Sequence, residues 1–505
     1  MFSEPGKYAV DFSIVRKDSI YHLFHIRGNR GVFVGSHNNG SEEDIGHATS
    51  DNLVVWDRHA PVVPRGTIGS WEESKVFAPD VLEKDGLYYM FYTGVTRYVV
   101  QSIGLATSRD LFNWEKHPGN PLVVPGTWSN WKEQAENDQP AHCRDGMVFL
   151  DSRSGHYVMY YTASMGDKRA CIGTAFSENL IDWKDTGPTF IEDDCTYNRM
   201  ESPFVFEENG TFYMFYSGKG KRSDHWEICY LRSDSPTGPW EKPPNHTLLE
   251  DWGCASQQPI FDGQRYMLFI LYEKVRTAFH RGKVSDPVRM SFAKDGTVRL
   301  EEHVSTSVPR RKATFSRFYS FDRTEDPVGV RSISITASLH LDSELLVSDV
   351  SCVDLSCCVT VRIQGDEAGI SFRLDERGDS GYFVTLVPKS KKIRFFKKIV
   401  TGSFDGSFAK QSQFGSELIH ENGEELIQER TLTRIAEEGP YELKVLAKRE
   451  FFEVYLDGEL VIVRADYDFA SGHLGLFACG QAQFTKCELD HLDLHAEHFW
   501  GKTKD

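Results

Sequence analysis

Asp11, Asp80, Asp145 and Glu201 stand 69, 65 and 56 residues apart. Each lies eight to twelve residues ahead of an aromatic-rich segment, at Tyr21, Tyr88, Tyr157 and Phe212. A fifth such segment follows Ser256-Gln-Gln-Pro-Ile-Phe261, which carries no acid. A lone Asp at such a place is ordinarily a turn or capping residue. Four in register with a repeat are expected to occupy equivalent positions and to converge. Like charges brought together repel and split their pKa values, a cost tolerated chiefly where it serves chemistry. Two carboxylates held a few ångströms apart are the apparatus of glycosidic-bond hydrolysis: one protonates the leaving oxygen, the other is nucleophile or base. A ring of acids could also hold a cation, but no EF-hand-like loop or histidine cluster accompanies it, so neither metal nor cofactor is expected.

The elements that must position these acids are repeated. The first pattern reads Ser19-Ile-Tyr-His-Leu-Phe-His25, Gly86-Leu-Tyr-Tyr-Met-Phe-Tyr-Thr-Gly94, Gly155-His-Tyr-Val-Met-Tyr-Tyr-Thr162, Gly210-Thr-Phe-Tyr-Met-Phe-Tyr-Ser-Gly218 and Gly263-Gln-Arg-Tyr-Met-Leu-Phe-Ile-Leu271. A second pattern, such as Gly104-Leu-Ala-Thr-Ser108, follows the first four and precedes Trp56, Trp114, Trp183 and Trp240. Aromatic and β-branched stretches this short, bounded by Gly, Asp and Asn, predict strands. Units of 50–70 residues with several strands each predict propeller blades. The fold class expected is therefore all-β: a five-bladed β-propeller over residues 1–305, followed by a C-terminal β-sandwich over 306–505.

In the second domain, Leu456-Asp-Gly-Glu459 predicts a hairpin turn. The polar stretch 402–432 is expected to be a long loop. The run Lys389, Lys391, Lys392, Lys397 and Lys398 is expected to form a solvated strand edge that discourages aggregation.

Composition limits the partners. With 57 basic against 74 acidic residues the net charge is −17, the wrong field for nucleic acid or an anionic membrane. No apolar run approaches the ~18 residues of a membrane span. The N-terminus has no basic then apolar leader, and the ten cysteines do not form a disulfide framework, so a cytoplasmic location is expected. Aromatics make up 13% of the chain, and their main use is to pack blade on blade.

Asp11 followed by Tyr21-His-Leu-Phe24, and Gly46-His-Ala-Thr-Ser-Asp-Asn-Leu-Val-Val-Trp56, resemble the first blade of glycoside hydrolase family 32, the invertases, inulinases and levanases. Arg144-Asp145 is similar to that family's Arg-Asp-Pro motif, and Glu201 sits where its Glu-Cys motif is expected. The chain departs from the pattern at Val10-Asp-Phe-Ser13, Gly146 and Ser202. Phe77-Ala-Pro-Asp80 looks more like the related family 43, which contains arabinofuranosidases and xylosidases. The family 32 resemblance implies a propeller-plus-sandwich exo-glycosidase acting on an oligosaccharide, foremost a retaining β-fructofuranosidase. In it Asp11 is the nucleophile, Glu201 the acid/base, Asp145 the residue that holds sugar hydroxyls, and Arg144 the residue that orients them. Family 43 implies an inverting arabinofuranosidase or xylosidase instead.

Asp80, Phe77, Trp71, His142, Arg199, Trp226 and Gln257 lie near segments expected to face the pocket, and are candidates for binding the sugar. A transferase or phosphorylase, or a sugar-binding propeller without catalysis, are the other classes open to this scaffold. A phosphorylase would need a cationic phosphate cradle, for which only Arg144, Arg199 and Lys75 are near the acids. A non-catalytic propeller would be expected to have lost an acid, whereas all three key acids are present. The sandwich leaves a homo-oligomer open.

Overall fold

The computed structural model describes residues 1–29, 41–193, 196–220, 226–250, 253–272, 282–302, 310–313, 317–321, 330–334, 339–342, 345–376, 378, 380–399, 423–433, 435, 439–494 and 502–503. Nearly all regular structure in them is β. One short helix, α1 (Trp131–Glu136), and a single 3-10 turn are the exceptions. The chain divides into two compact units: Met1–Ser307 together with His495–Asp505, and Val308–Leu494. The C-terminal eleven residues thus group with the first unit.

The first unit contains four sheets whose strands run antiparallel in simple chain order, with Lys502–Thr503 added in parallel to the last strand of the first. These are β1 (Lys7–Lys17), β2 (Ile20–Asn29), β3 (Ile45–Ser50) and β4 (Asp57–Arg58); β5 (Lys75–Lys84), β6 (Leu87–Val95), β7 (Gln101–Ser108) and β8 (Glu115–Lys116); β9 (Cys143–Asp151), β10 (His156–Ser164), β11 (Ala170–Ser177) and β12 (Lys184–Ile191); β13 (Tyr197–Glu208), β14 (Thr211–Gly220), β15 (Trp226–Ser233) and β16 (Thr247–Leu249). A fifth set follows, with β17 (Gly253–Gln257) and the two-residue β18 (Ile260–Phe261) on β19 (Gln264–Tyr272). The other edge of β19 carries β20 (Gly282–Val284) and β21 (Val288–Phe292), and β22 (Val298–Glu301) pairs with β21. The first strands of the five sets neighbour one another in cyclic order, β1 beside β5, β9, β13, β17 and again β1.

The aromatic repeat forms the second strand of each set. Phe91, Tyr92, Tyr160, Tyr161, Phe215 and Tyr216 are buried, each contributing about 1.5–3 kcal/mol through the apolar area it hides. The recurring tryptophans join sheet to sheet: Trp114 meets Phe24 edge-on at 5.5 Å, and Trp183 meets Phe91 at 5.4 Å. Each of these indoles is fixed by its Nε1–H, donated at 3.1 Å to Leu111 O and Leu180 O respectively. Most of the aromatic excess is therefore mortar between sheets.

The second unit packs two antiparallel sheets through one core that includes Val359, Phe372, Tyr382, Phe395, Val445 and Phe452. Its hairpin at Asp457-Gly458 has φ of 49° and 81°, the left-handed pair that an Asp-Gly turn supplies. Two sequence expectations fail here. The strand Lys392–Lys398 is not an edge, because Gly381–Val387 pairs with one side of it and Glu424–Thr431 with the other. Its lysines are matched by acids: Lys397 is buried against Asp466 and Asp468, Lys398 meets Glu424, and Lys392 meets Glu429. The expected loop 402–432 therefore contains the strand Glu424–Thr431, while 402–422 lie outside the described residues.

Candidate active site

Each first strand carries one irregularity at the same level. Pairing slips at Asp11 in β1, at Ala78-Pro79 in β5, at Asp145-Gly146 in β9, at Ser202-Pro203 in β13 and at Ala255 in β17. The residue at each slip has positive φ: 23°, 39°, 59°, 54° and 41° in that order. None is glycine, so each costs roughly 1–2 kcal/mol of backbone strain, of the kind that collects at functional sites. Such a bulge re-aims the side chain and frees its backbone N–H from the ladder. The freed groups are satisfied from the neighbouring set: Asp145 N donates to Thr93 Oγ1 at 3.2 Å, and Ala255 N to Ser217 Oγ at 2.7 Å. Ser202 N donates to Asp145 Oδ2 at 3.0 Å.

This register corrects the expectation that the four acids are equivalent. Asp11 and Asp145 occupy the bulge itself, Glu201 stands one residue before it, and Asp80 two residues after. Because side chains alternate along a strand, the three places have different surroundings. Asp80 is buried under the bulges. Its Oδ2 accepts from Val148 N at 2.9 Å and its Oδ1 from Ser13 Oγ at 3.5 Å, and burial pushes its pKa up to about 7. Glu201 keeps 19% of its side chain exposed and is held by Arg144 Nη2, with Arg199 Nη1 at 4.0 Å.

Asp11, Asp145 and Glu201 come together. Ser202 Oγ donates to Asp11 Oδ1, and Asp145 Oδ2 accepts from Thr162 Oγ1 at 2.8 Å, with Arg144 Nε 3.6 Å away. Burial first, then the charge of Asp145, raises the pKa of Asp11 well above the ordinary range. Burial also raises Asp145, against the pull of Arg144. The guanidinium of Arg144 is the hub, and its Nη1 donates to His142 Nδ1 at 3.1 Å and Gln101 Oε1 at 3.3 Å. A guanidinium only donates, so His142 accepts at Nδ1 and is neutral, and burial pushes its pKa down to about 4.

The five bulges enclose a cavity of about 30 Å³, lined by Asp11, Asp80, Asp145, Ser202, Ala255 and Gln257 among others. That is room for a water molecule or two, not for a sugar. Glu201, 19% exposed, and Arg199, 56% exposed, reach solvent beside these carboxylates. Phe77 shares the register position of Arg144 and Glu201, immediately before its bulge. Two further candidates are packed against other side chains. Trp71 fills the space over Gly94 and Gly104, where an added Cβ would lie 2.2 and 2.6 Å from its ring. Trp226, at the start of β15, packs on a hydrophobic cluster whose Phe12 and Ala255 also line the cavity, so it stays beside the site. Sequence reasoning missed Ser202, Thr162 and Gln101. The repeat carried a signal for one of them, since Thr93, Thr162 and Ser217 follow the same Tyr in three sets. Among the described residues no group of three or more His, Cys, Asp or Glu side chains is arranged to hold a metal ion.

The chain belongs to glycosyl hydrolases family 43, whose sequence profile matches residues 7–297 and so includes all four acids. A probable arabinan endo-1,5-alpha-L-arabinosidase A of Aspergillus fumigatus is 26% identical over 206 residues, covering 38% of this chain and 60% of that protein. A vacuolar acid beta-fructofuranosidase of Arabidopsis thaliana is 38% identical over 90 residues, 16% of this chain and 13% of that protein. The chain thus spans less than two thirds of the length of either relative. Among solved structures, a GH32 beta-fructofuranosidase of Bombyx mori is similar in fold at 14% identity, covering 99% of this chain and 93% of that one, with a TM-score of 0.66.

Proposed function

We propose that the protein is a glycosidase that hydrolyses a terminal furanoside, foremost an arabinofuranoside, with Asp11, Asp145 and Glu201 at the axis of a five-bladed propeller. One observation carries this reading: three carboxylates from three different strands gather around the single guanidinium of Arg144 at strained bulges. In the inverting scheme that family 43 implies, Glu201 gives its proton to the glycosidic oxygen as the bond to the anomeric carbon breaks. Asp11 takes a proton from the water that attacks the opposite face. Asp11 must be ionised for this, and the Ser202 hydroxyl and the Arg144 charge favour that state against burial. Asp145 acts as a positioning residue, because its Oδ2 is occupied by Thr162 and the Ser202 N–H while Arg144 lies alongside. Neutral His142 carries its remaining N–H at Nε2, and we assign that donor to a sugar hydroxyl.

The longer alignment with the arabinanase favours the arabinofuranoside. The short, more identical match to the plant fructofuranosidase favours a second reading, a retaining β-fructofuranosidase in which Asp11 attacks the anomeric carbon itself. The test offers the protein nitrophenyl arabinofuranosides, arabino-oligosaccharides, sucrose and short inulin, and follows the first-formed anomer by proton NMR. Arabinose released with inversion is the expected result, and fructose released with retention selects the second reading. Glu201→Gln should lower kcat by about 10²–10⁴-fold on substrates with poor leaving groups. No release from any furanoside, or full activity in both Asp11→Asn and Glu201→Gln, overturns the proposal.

A further inference from the structure

A second cavity, of about 500 Å³, lies at the opposite end of β1 from the acids. Asp11 and Lys17, which lines this cavity, are six residues apart on one strand, or about 20 Å at the rise of an extended chain. One small ligand cannot reach both places. The volume falls within the ~300–1,000 Å³ typical of ligand sites.

Its lining is built from both apolar and polar groups. Phe112 reaches over from the neighbouring sheet and stands edge-on to His22, His47 and His59, at ring distances of 5.6, 4.9 and 5.2 Å. It nevertheless remains 45% exposed, a ring braced by three imidazoles with surface left uncovered. His22 lines the cavity and is only 4% exposed. Its Nδ1 is taken by His47 Nε2 at 3.0 Å, and its Nε2 has no partner among the described residues. Asp18 and Asp51 add carboxylates, whereas Lys17 spends its ammonium on Arg109 O at 3.3 Å.

The charge of this lining is wrong for a phosphate or any other anion, and no metal-holding group exists among the described residues. A rigid aromatic surface beside carboxylates, an amide and an imidazole nitrogen suits a neutral ligand with one apolar face and several hydroxyls. We propose that this cavity is a second carbohydrate-binding site, which holds a neutral oligosaccharide or polysaccharide chain away from the acids. The choice of sugar as ligand rests on the glycosidase reading; the cavity and its lining do not.

Native gel electrophoresis through linear arabinan or inulin tests the proposal independently of catalysis. The protein is expected to be retarded by one of the two polysaccharides, and Phe112→Ala and Asp51→Asn to weaken the apparent affinity at least fivefold. Both variants should hydrolyse a nitrophenyl arabinofuranoside at the unaltered rate, which also shows that they fold. Asp11→Asn should remain retarded. Absence of retardation in both gels, or equal retardation of the protein and Phe112→Ala, overturns the second site. So does retardation that vanishes in Asp11→Asn but persists in Phe112→Ala. A protein that is retarded through Phe112 yet hydrolyses no furanoside refutes the catalytic reading and leaves this one standing.

Discussion

A buried carboxyl with hydrogen-bond donors but no cation is a poor place for a charge, and Asp80 is such a group. Its pKa rises from the ordinary 3.8 to about 7 through burial, against the bonds from Val148 and Ser13. Between these values the folded protein keeps a proton that the unfolded chain has released, so stability falls as pH rises through that window. The full penalty, present above about 7, is roughly 4 kcal/mol at about 1.4 kcal/mol per pH unit. Asp80→Asn mimics the protonated carboxyl. It should raise the melting temperature at pH 8 and leave it nearly unchanged at pH 4; an equal effect at both would refute the titration. Ser202→Ala removes a bond that favours ionised Asp11, so the acidic limb of kcat/KM should move to higher pH. The acids were legible in the sequence because of their spacing. Their three distinct register positions were not, because a bulge shifts the strand without altering the order of residues.

The element that makes the site is the bulged first strand. A signal for it does exist in the chain: Ala78-Pro79, Asp145-Gly146 and Ser202-Pro203 put Pro or Gly inside an otherwise apolar strand, where either residue marks a bulge. Left-handed Ala or Ser gives no such mark, and Asp11 and Ala255 lack the Pro or Gly as well. The strands themselves were legible because aromatic and β-branched residues recur between turn residues. The hydroxyls that receive the freed N–H groups should therefore matter in proportion to what they satisfy. Ser217→Ala leaves Ala255 N–H buried without an acceptor and should cost about 1–3 kcal/mol in denaturant unfolding. Thr162 instead donates to Asp145, so Thr162→Val strands no backbone N–H but should push that carboxyl further up. If Thr162→Val left the pH–rate profile where it was, Asp145 would have no part in positioning Arg144 and Ser202.

Across the whole molecule, the change from aromatic repeat to plain alternating strands is the signal for a second domain that the sequence carries. The grouping of His495–Asp505 with the first unit was not legible, since its described pairing is only Lys502–Thr503 beside Asp57–Arg58, too short to leave a pattern. The match of Lys392 and Lys398 by Glu429 and Glu424 was hidden for a related reason, because sequence shows charges but not which strand lies alongside. The two units have separate cores, so calorimetry should resolve two transitions. The imidazoles that burial pushes down all belong to the first: His22 and His142 to about 4, and His47 to about 2. Below the ordinary 6.5 the unfolded chain takes up protons that these folded groups refuse. Their contribution is thus complete above pH 6.5 and is lost as the pH falls toward 4 and, for His47, toward 2. The raised carboxylates of the same unit act in the opposite sense over part of this range, which obscures the effect in the wild-type curve. Comparison with His47→Phe cancels them, because they are common to both proteins. Whatever the substitution costs at pH 7.5, the variant should recover about 2 kcal/mol relative to wild type by pH 5, from one imidazole over about 1.5 units. The gain should appear in the first unit's transition alone. Parallel melting curves for the two proteins between pH 7.5 and 5 would mean that His47 takes its proton as readily folded as unfolded.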